Sequence, residues 1–422
     1  MRYSLLNFVV CPRCHGDLTC VTVSEIECGV FPQGFKPFDR VSTGPGVGPV
    51  PATAATTELG AALARLASPA APPDRNYEVA VETGVLTCGA CGAWFPIIKC
   101  IPEVLSDHLR NPVREQEWLA GISAQLPPEL VTLWNAFRLR SAVDAGAHHK
   151  LAEIALPASI TDPFFWGPGH AAPFNLWTPE HTWHLIRNLV VAEPLLQLVR
   201  ASVVLDVGSG YSWTTEWFLR SGYEPIGMDI TREYLEIAIH RIGINRPHLL
   251  VGDAECLPIR ENSVHAVLGF EAFHHIPNRP AAMREFSRVL LDDRPVLLVE
   301  PGGAHEHAAV SIEAMDKYGT LEKGMDLADV AEYAVGSGLG DCRQHFMYRT
   351  SAGLAPVALT ANNVYTLRKG APEGIAAVPV EPPPSVATPA PPPQSAFRRA
   401  VMQSPLGPVL KRLKQLLVGS RT

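Results

Sequence analysis

The sequence predicts an α/β chain on a seven-stranded, mostly parallel, doubly wound sheet, with a small cysteine-bearing ribbon ahead of it and a disordered proline-rich linker behind. Three observations carry that prediction. Residues 203–219 run from an apolar strand (Val203, Val204, Leu205, Asp206) through a glycine turn (Gly208, Gly210) into an amphipathic run that begins near Ser212. Strand, loop acid and strand then recur: residues 223–229 end in Asp229, 251–259 carry Asp253, and 264–270 are apolar. Finally, Cys11-Pro12-Arg13-Cys14 and Cys88-Gly89-Ala90-Cys91 stand as paired CxxC knuckles before the alternating part. Such alternation makes an open sheet with a crevice at the carboxyl ends of its strands.

The 422 residues exceed one ordinary domain of about 100–200 and predict more than one. At 47% hydrophobic the chain can build a sizeable core, yet no apolar run reaches the ~18 residues of a membrane span. The start, MRYSLLNFVVCPRCHGDL, has no long apolar stretch and no small-residue cleavage site, so a cytoplasmic chain is expected rather than a secreted one. A net charge of −7 argues against general nucleic-acid binding. Nine cysteines, an odd number with two CxxC pairs, favour metal over disulfides in such a compartment.

Residues 1–105 form the expected ribbon. Each CxxC turn aims two thiolates at one ion, and two turns close a tetrahedral structural zinc site, so Cys11, Cys14, Cys88 and Cys91 are the expected ligands. The knuckles are far apart, 88 − 14 = 74 residues, and 42–75 reads as a flexible insertion with a short helix near 58–66. Loop-closure entropy grows slowly with length, so the gap does not forbid a shared ion. A redox-active CxxC competes with this reading, but four converging thiols count against it. Cys20, Cys28 and Cys100 read as buried or spare thiols, any of which can substitute as a ligand. With the aromatic, FPI and IP pattern of 94–105, this segment resembles the small zinc-ribbon activator subunit of RNA and protein methyltransferases, fused here in cis. That family has glycine before the IP pair, where this chain has Cys100.

Residues 106–200 read as a helical connector and substrate cap, with EQEWLAGI, PELVTLWNAFRL and PEHTWHLIRNLV as helices broken at Pro157, Pro163, Pro168 and Pro173. Residues 166–170 read as an aromatic turn, and His148 and His149 as exposed loop residues. Within 201–369, a helix is expected over 278–291 and a strand over 294–300. Helices follow at 307–318 and 327–337, then two strands, 341–348 and 362–369, as a reversed hairpin. Residues 370–395 read as the linker and 396–422 as a basic amphipathic tail helix. That tail can lie on an anionic bilayer, peripheral at the inner membrane, or dock on its own domain or a partner subunit.

A dinucleotide fold wants glycine three residues after Gly210, where this chain has Trp213, so hydride chemistry is disfavoured. The ordered motifs of 203–369 resemble a class I S-adenosylmethionine-dependent methyltransferase of the type 11 branch. The resemblance implies that Asp206, Gly208 and Gly210 hold the methionine end of S-adenosylmethionine. It places Asp229 and Ile230 at the ribose, and Asp253 and Ala254 at the adenine. Ser212 stands where many relatives have a third glycine.

Methyl transfer is an in-line displacement, and a hydroxyl acceptor also needs a base. The candidates sit at the carboxyl ends of strands four and five: Glu271, His274 and His275, then Glu300, His305 and His307, with His274, His275, Glu300 and His305 foremost. A divalent-metal reading uses Glu271, His274, His275, Glu300 and His305 as ligands. No NPPY-type loop is present, which disfavours a nucleobase amine or glutamine acceptor. The expected function is O-methylation of a sugar, lipid-linked glycan or small metabolite. The alternatives are an RNA or protein methyltransferase with a cis zinc-ribbon activator, and a non-catalytic scaffold that keeps the cofactor fold.

Overall fold

Two long strands, β1 (Leu18–Glu27) and β2 (Val79–Cys88), pair antiparallel at the start of the chain. They belong to a computed structural model that describes residues 1–27, 79–140, 146–159, 179–242, 247–345, 348–349, 357–358 and 362–376. Strands β3 (Trp94–Ile98) and β4 (Ile101–Pro102) complete a sheet in the order β1-β2-β3-β4. Lys99 and Cys100 alone join β3 to β4, with φ of 49° and 70°. A two-residue hairpin requires that left-handed backbone, which explains why glycine suits this turn and why cysteine is strained in it. The insertion at 42–75, its short helix and Cys28 lie outside the described residues.

Helices α1 (Pro112–Ile122) and α2 (Pro128–Ala136) each begin with proline, whose missing N–H is no loss in a first turn. The side chain of Asn111 caps α1 by accepting the N–H of Arg114. Leu119, Leu130 and Trp134 pack on Val21, Val85 and Trp94 of the ribbon sheet. Arg110 is buried beneath them and donates to both oxygens of Glu115, at 2.8 and 2.6 Å, and to the Trp94 carbonyl at 2.8 Å. Its guanidinium also lies over the rings of Phe95 and Trp94.

Helices α3 (Ala147–Ser159) and α4 (Pro179–Ala192) follow. Two expectations change at α3. His148 and His149 lie in its first turn rather than in a loop, and Pro157 sits inside it. Only two residues follow that proline, so the backbone bond it removes is near the helix end, where the penalty is small. The aromatic turn at 166–170 lies outside the described residues.

The second sheet takes β5 (Val203–Val207), β6 (Glu224–Asp229), β7 (His248–Val251), β8 (Ala266–Phe270), β9 (Pro295–Pro301), β10 (Leu339–His345) and β13 (Asn362–Lys369). Between the last two, β11 (Tyr348–Arg349) and β12 (Val357–Ala358) pair with each other. The order is β10-β13-β9-β8-β5-β6-β7, with β13 antiparallel to both neighbours and the β7-to-β9 contacts parallel. Helices α5 (Trp213–Arg220), α6 (Arg232–Ile242), α7 (Arg279–Val289), α8 (Ala309–Tyr318) and α9 (Leu327–Tyr333) supply the rest. Both faces of the sheet are buried: Val203, Leu205 and Val207 join one apolar cluster, while Val204 joins another.

The ribbon is bonded to this sheet. The N–H of Val104 donates to the Val251 carbonyl at 2.8 Å, Glu103 bridges Val251 in parallel, and Val9 bridges Ile259. Met1–Ala376 accordingly form one compact unit. The expected linker starts late: Asp341 N–H donates to the Pro372 carbonyl at 2.9 Å and Cys342 N–H to Gly374 at 3.0 Å, so the chain past β13 folds back along β10. The rest of the proline tract and the basic tail lie outside the described residues. No described helix is long and apolar enough to cross a membrane.

Breaking a buried pair strands its partner's charge. Glu115→Ala should therefore destabilise the chain by about 3–5 kcal/mol, read as a lowered urea midpoint. An unchanged midpoint would show that Arg110 finds other partners.

Candidate functional site

The strand order reverses between β5 and β8, and the loops after them part to leave a cavity of about 440 Å³ at the carboxyl ends. Gly208 has φ +67°, and a Cβ there would lie 2.4 Å from the Cβ of Ala272, so the close approach of the two loops needs glycine. Ser212, at the third-glycine position, is itself left-handed with φ 55°. Asp206 ends up behind this loop. The hydroxyls of Thr214 and Thr215 donate to its Oδ2 at 2.6 and 2.5 Å, which fastens the first turn of α5 to β5. Burial lifts its carboxyl to about 6 even against those hydroxyls.

Asp229 joins the same loop to the end of β6. Its Oδ2 accepts the N–H of Gly210 and its Oδ1 that of Thr231, each at 2.8 Å. Burial raises this carboxyl to about 6 as well, against both backbone donors. Each oxygen keeps a lone pair, which is what a vicinal diol requires. Gly208, Gly210, Asp229, Ile230, Asp253 and Ala254 all line the cavity. Asp253 accepts from the Glu255 N–H and from Lys150 Nζ, each at 3.0 Å. Lys150 comes from α3 and also reaches Glu255 at 2.5 Å.

The knuckles brace that loop from behind. Val10 N–H donates to the Pro258 carbonyl at 3.0 Å, Arg260 N–H to Phe8 at 2.7 Å, and Cys256 Sγ to Pro12 at 3.1 Å. The sulfurs of Cys11, Cys14, Cys88 and Cys91 lie within 4.8 Å of one another, with Cys11–Cys91 at 3.7 Å and Cys14–Cys88 at 3.5 Å. Tetrahedral zinc with Zn–S near 2.3 Å separates its sulfurs by about 3.8 Å, so the four fit one ion. A Cβ on Gly16 would lie 3.2 and 3.3 Å from the sulfurs of Cys88 and Cys14, so glycine leaves the room they need. Cys20 and Cys100 are buried and are not part of this group.

Of the acid–base candidates, Glu271 and His275 line the cavity. His274, Glu300 and His305 are not among the lining residues, and neither is Asp206. Glu300 is fully buried and already committed. It accepts the N–H groups of Ala272 at 3.2 Å and Phe273 at 2.9 Å, and the Nδ1–H of His274 at 2.7 Å. It shapes the loop after β8 instead of facing an acceptor. His274 is buried; burial alone would lower its pKa, but Glu300 and Glu322 raise it to about 9. His305 Nε2 lies 2.8 Å from Glu322.

The lining residues that sequence reasoning did not single out include Lys150, Glu153, Tyr318, Thr320 and Glu322. Glu153 Oε1 lies 3.3 Å from His275 Nδ1, and Glu322 Oε1 lies 3.9 Å from it. Burial would raise the Glu322 carboxyl, but His274, His275 and His305 hold it down at about 2. Lys150 and Glu153 do carry a signal, the three-residue spacing of one helix face. Glu322 has none, because it stands in a segment without regular structure.

Residues 205–293 match the methyltransferase domain family, and residues 2–99 match the Trm112p-like protein family. The methyltransferase GfsG of Streptomyces halstedii is 31% identical over 228 residues, 48% of this chain and 78% of that relative. The uncharacterized methyltransferase YcgJ of Bacillus subtilis is 35% identical over 100 residues, 23% of this chain and 40% of its own length. Among solved structures, a complex of the Haloferax volcanii Trm112 methyltransferase activator aligns at 18% identity and a TM-score of 0.37. The alignment covers 46% of this chain and 90% of that one.

The two loop glycines should respond differently to alanine. Both have positive φ, but Gly210 has nothing within 4 Å of a built Cβ, whereas Gly208 meets Ala272. Gly210→Ala should cost about 1–2 kcal/mol from φ alone, and Gly208→Ala more, read as the drop in melting temperature. Equal drops would show that the two loops part easily.

Proposed function

The chain belongs to the S-adenosylmethionine-dependent methyltransferases, carries a Trm112p-like segment before its methyltransferase domain, and, we propose, methylates a hydroxyl oxygen of a small-molecule or glycan acceptor. Its cofactors are S-adenosylmethionine and a structural zinc. In this reading Asp229 and Ile230 hold the ribose, Asp253 and Ala254 the adenine, and Gly208 and Gly210 admit the methionine end. Asp206 positions the glycine loop through Thr214 and Thr215. Cys11, Cys14, Cys88 and Cys91 hold the zinc.

One observation carries the hydroxyl acceptor: His275 lines the cofactor cavity with Glu153 and Glu322 beside its Nδ1. A histidine flanked by carboxylates can take a proton at its other nitrogen, while the carboxylates stabilise the imidazolium that forms. When bound, the cofactor would supply an electrophilic methyl group on its sulfonium. His275 would receive the acceptor's hydroxyl proton, leaving the oxygen free to take that methyl group. Thr320 lines the same cavity with its buried hydroxyl unpaired among the described residues, which suits it to an acceptor's polar group.

A second reading, an RNA or protein acceptor, is favoured by the Trm112p-like match alone. Tritiated methyl transfer from S-adenosylmethionine into fractionated cell pools separates the two. Label in the small-molecule or glycan fraction is expected, and label in RNA or protein would turn the assignment to the second reading. With an acceptor in hand, His275→Ala should lower kcat by about 10²–10⁴-fold and leave cofactor affinity unchanged. A variant as fast as wild type would remove His275 as the base.

For the zinc, the Cys88→Ser/Cys91→Ser chain should contain one zinc equivalent less than wild type, by metal analysis. It should also bind S-adenosylhomocysteine more weakly, because the knuckles brace the loop of Asp253. Undiminished zinc would place the ion elsewhere.

A further inference from the structure

Beside the cofactor cavity stands a cluster of which the methyl-transfer reading uses Glu322 alone, through its other oxygen. His274 leaves the loop after β8, His305 follows β9, and Glu322 lies between α8 and α9. One donor atom from each lies within 4.8 Å of the others. His274 Nε2 is 3.5 Å and His305 Nε2 2.8 Å from the same oxygen of Glu322. Nitrogen and oxygen ligands at about 2.0–2.2 Å from one ion sit about 2.9–3.5 Å from each other, so this spacing suits a shared centre. The geometry points to a second metal site, in which His274, His305 and Glu322 take a divalent first-row transition ion at the cavity wall.

The far side of His274 supports this. Its Nδ1–H donates to Glu300 at 2.7 Å, and Glu300 is itself fixed by backbone N–H groups. A carboxylate on one imidazole nitrogen sets the tautomer and turns the other nitrogen's lone pair outward, as in metal-bound histidines. His274 Nε2 faces an oxygen of Glu322, so a divalent cation can sit where a proton otherwise joins the two. Two imidazoles and one carboxylate leave coordination positions open, and Glu322 lines the cavity from which they can be reached. The ion would displace any proton on His274 Nε2. The set is poor in oxygen, which disfavours calcium and magnesium.

The test titrates CoCl₂ into the zinc-replete full chain, read by calorimetry and visible absorption. One Co(II) per chain is expected, with d–d bands but no thiolate charge-transfer bands, which separates it from the cysteine site. His305→Ala and Glu322→Gln should each weaken this binding at least tenfold, with melting curves recorded to verify folding. No bound Co(II), a spectrum with thiolate bands, or an affinity that both variants leave unchanged would overturn the site. Any of these outcomes would leave the base role of His275 untouched, since that rests on its own rate measurement.

Discussion

Glu300 is a fully buried carboxylate on which the carboxyl end of the sheet depends. Alone in an apolar interior its charge would be prohibitive, but the N–H groups of Ala272, Phe273 and His274 and the His274 ring all donate to it. That network draws the loop after β8 into a turn, which sets Ala272 against Gly208 and carries His275 into the cavity. Asp206 and Asp229 act alike on their own strands: one fastens α5, the other ties Gly210 to Thr231. Acids at strand ends thus order the loops first, and the cavity is the space those loops leave.

The ribbon belongs to this framework. Its last residues bond along Val251, where β7 would otherwise present an open sheet edge. Glu103 is buried there and accepts from Arg232 at 2.9 Å and Arg114 at 2.8 Å, so helices from both parts meet on one carboxylate. Arg260 reaches Asp17 at 2.7 Å across the same boundary. Whatever loosens the cysteine cluster therefore loosens the loop that bears Asp253.

Much of this was legible in the sequence because backbone chemistry writes short, ordered signals. Gly208, Gly210, Asp229 and Asp253 stand at fixed points of a strand–loop alternation, and all four line the cavity. The cysteine pairs announce their convergence across an insertion of any length. What escaped depends on side chains that meet only after folding. Glu153 and Glu322 approach His275 from a helix and an irregular segment, far apart in sequence and in no motif. Glu300 and His274 read as cavity groups because they stand at strand ends, but a strand end does not say which way a carboxylate turns. Helix α3 was missed at His148 because a proline near its end and a masking run of small residues hide its period.

The proposed chemistry depends on the cavity between the glycine loop and Asp229 being the cofactor site. Calorimetric titration of the full chain with S-adenosylhomocysteine tests that directly. One molecule bound per chain is expected, with a loss of about 1–3 kcal/mol in Asp229→Ala, the scale of a removed charged acceptor. No binding, or an equal affinity in a correctly folded Asp229→Ala chain, would contradict it.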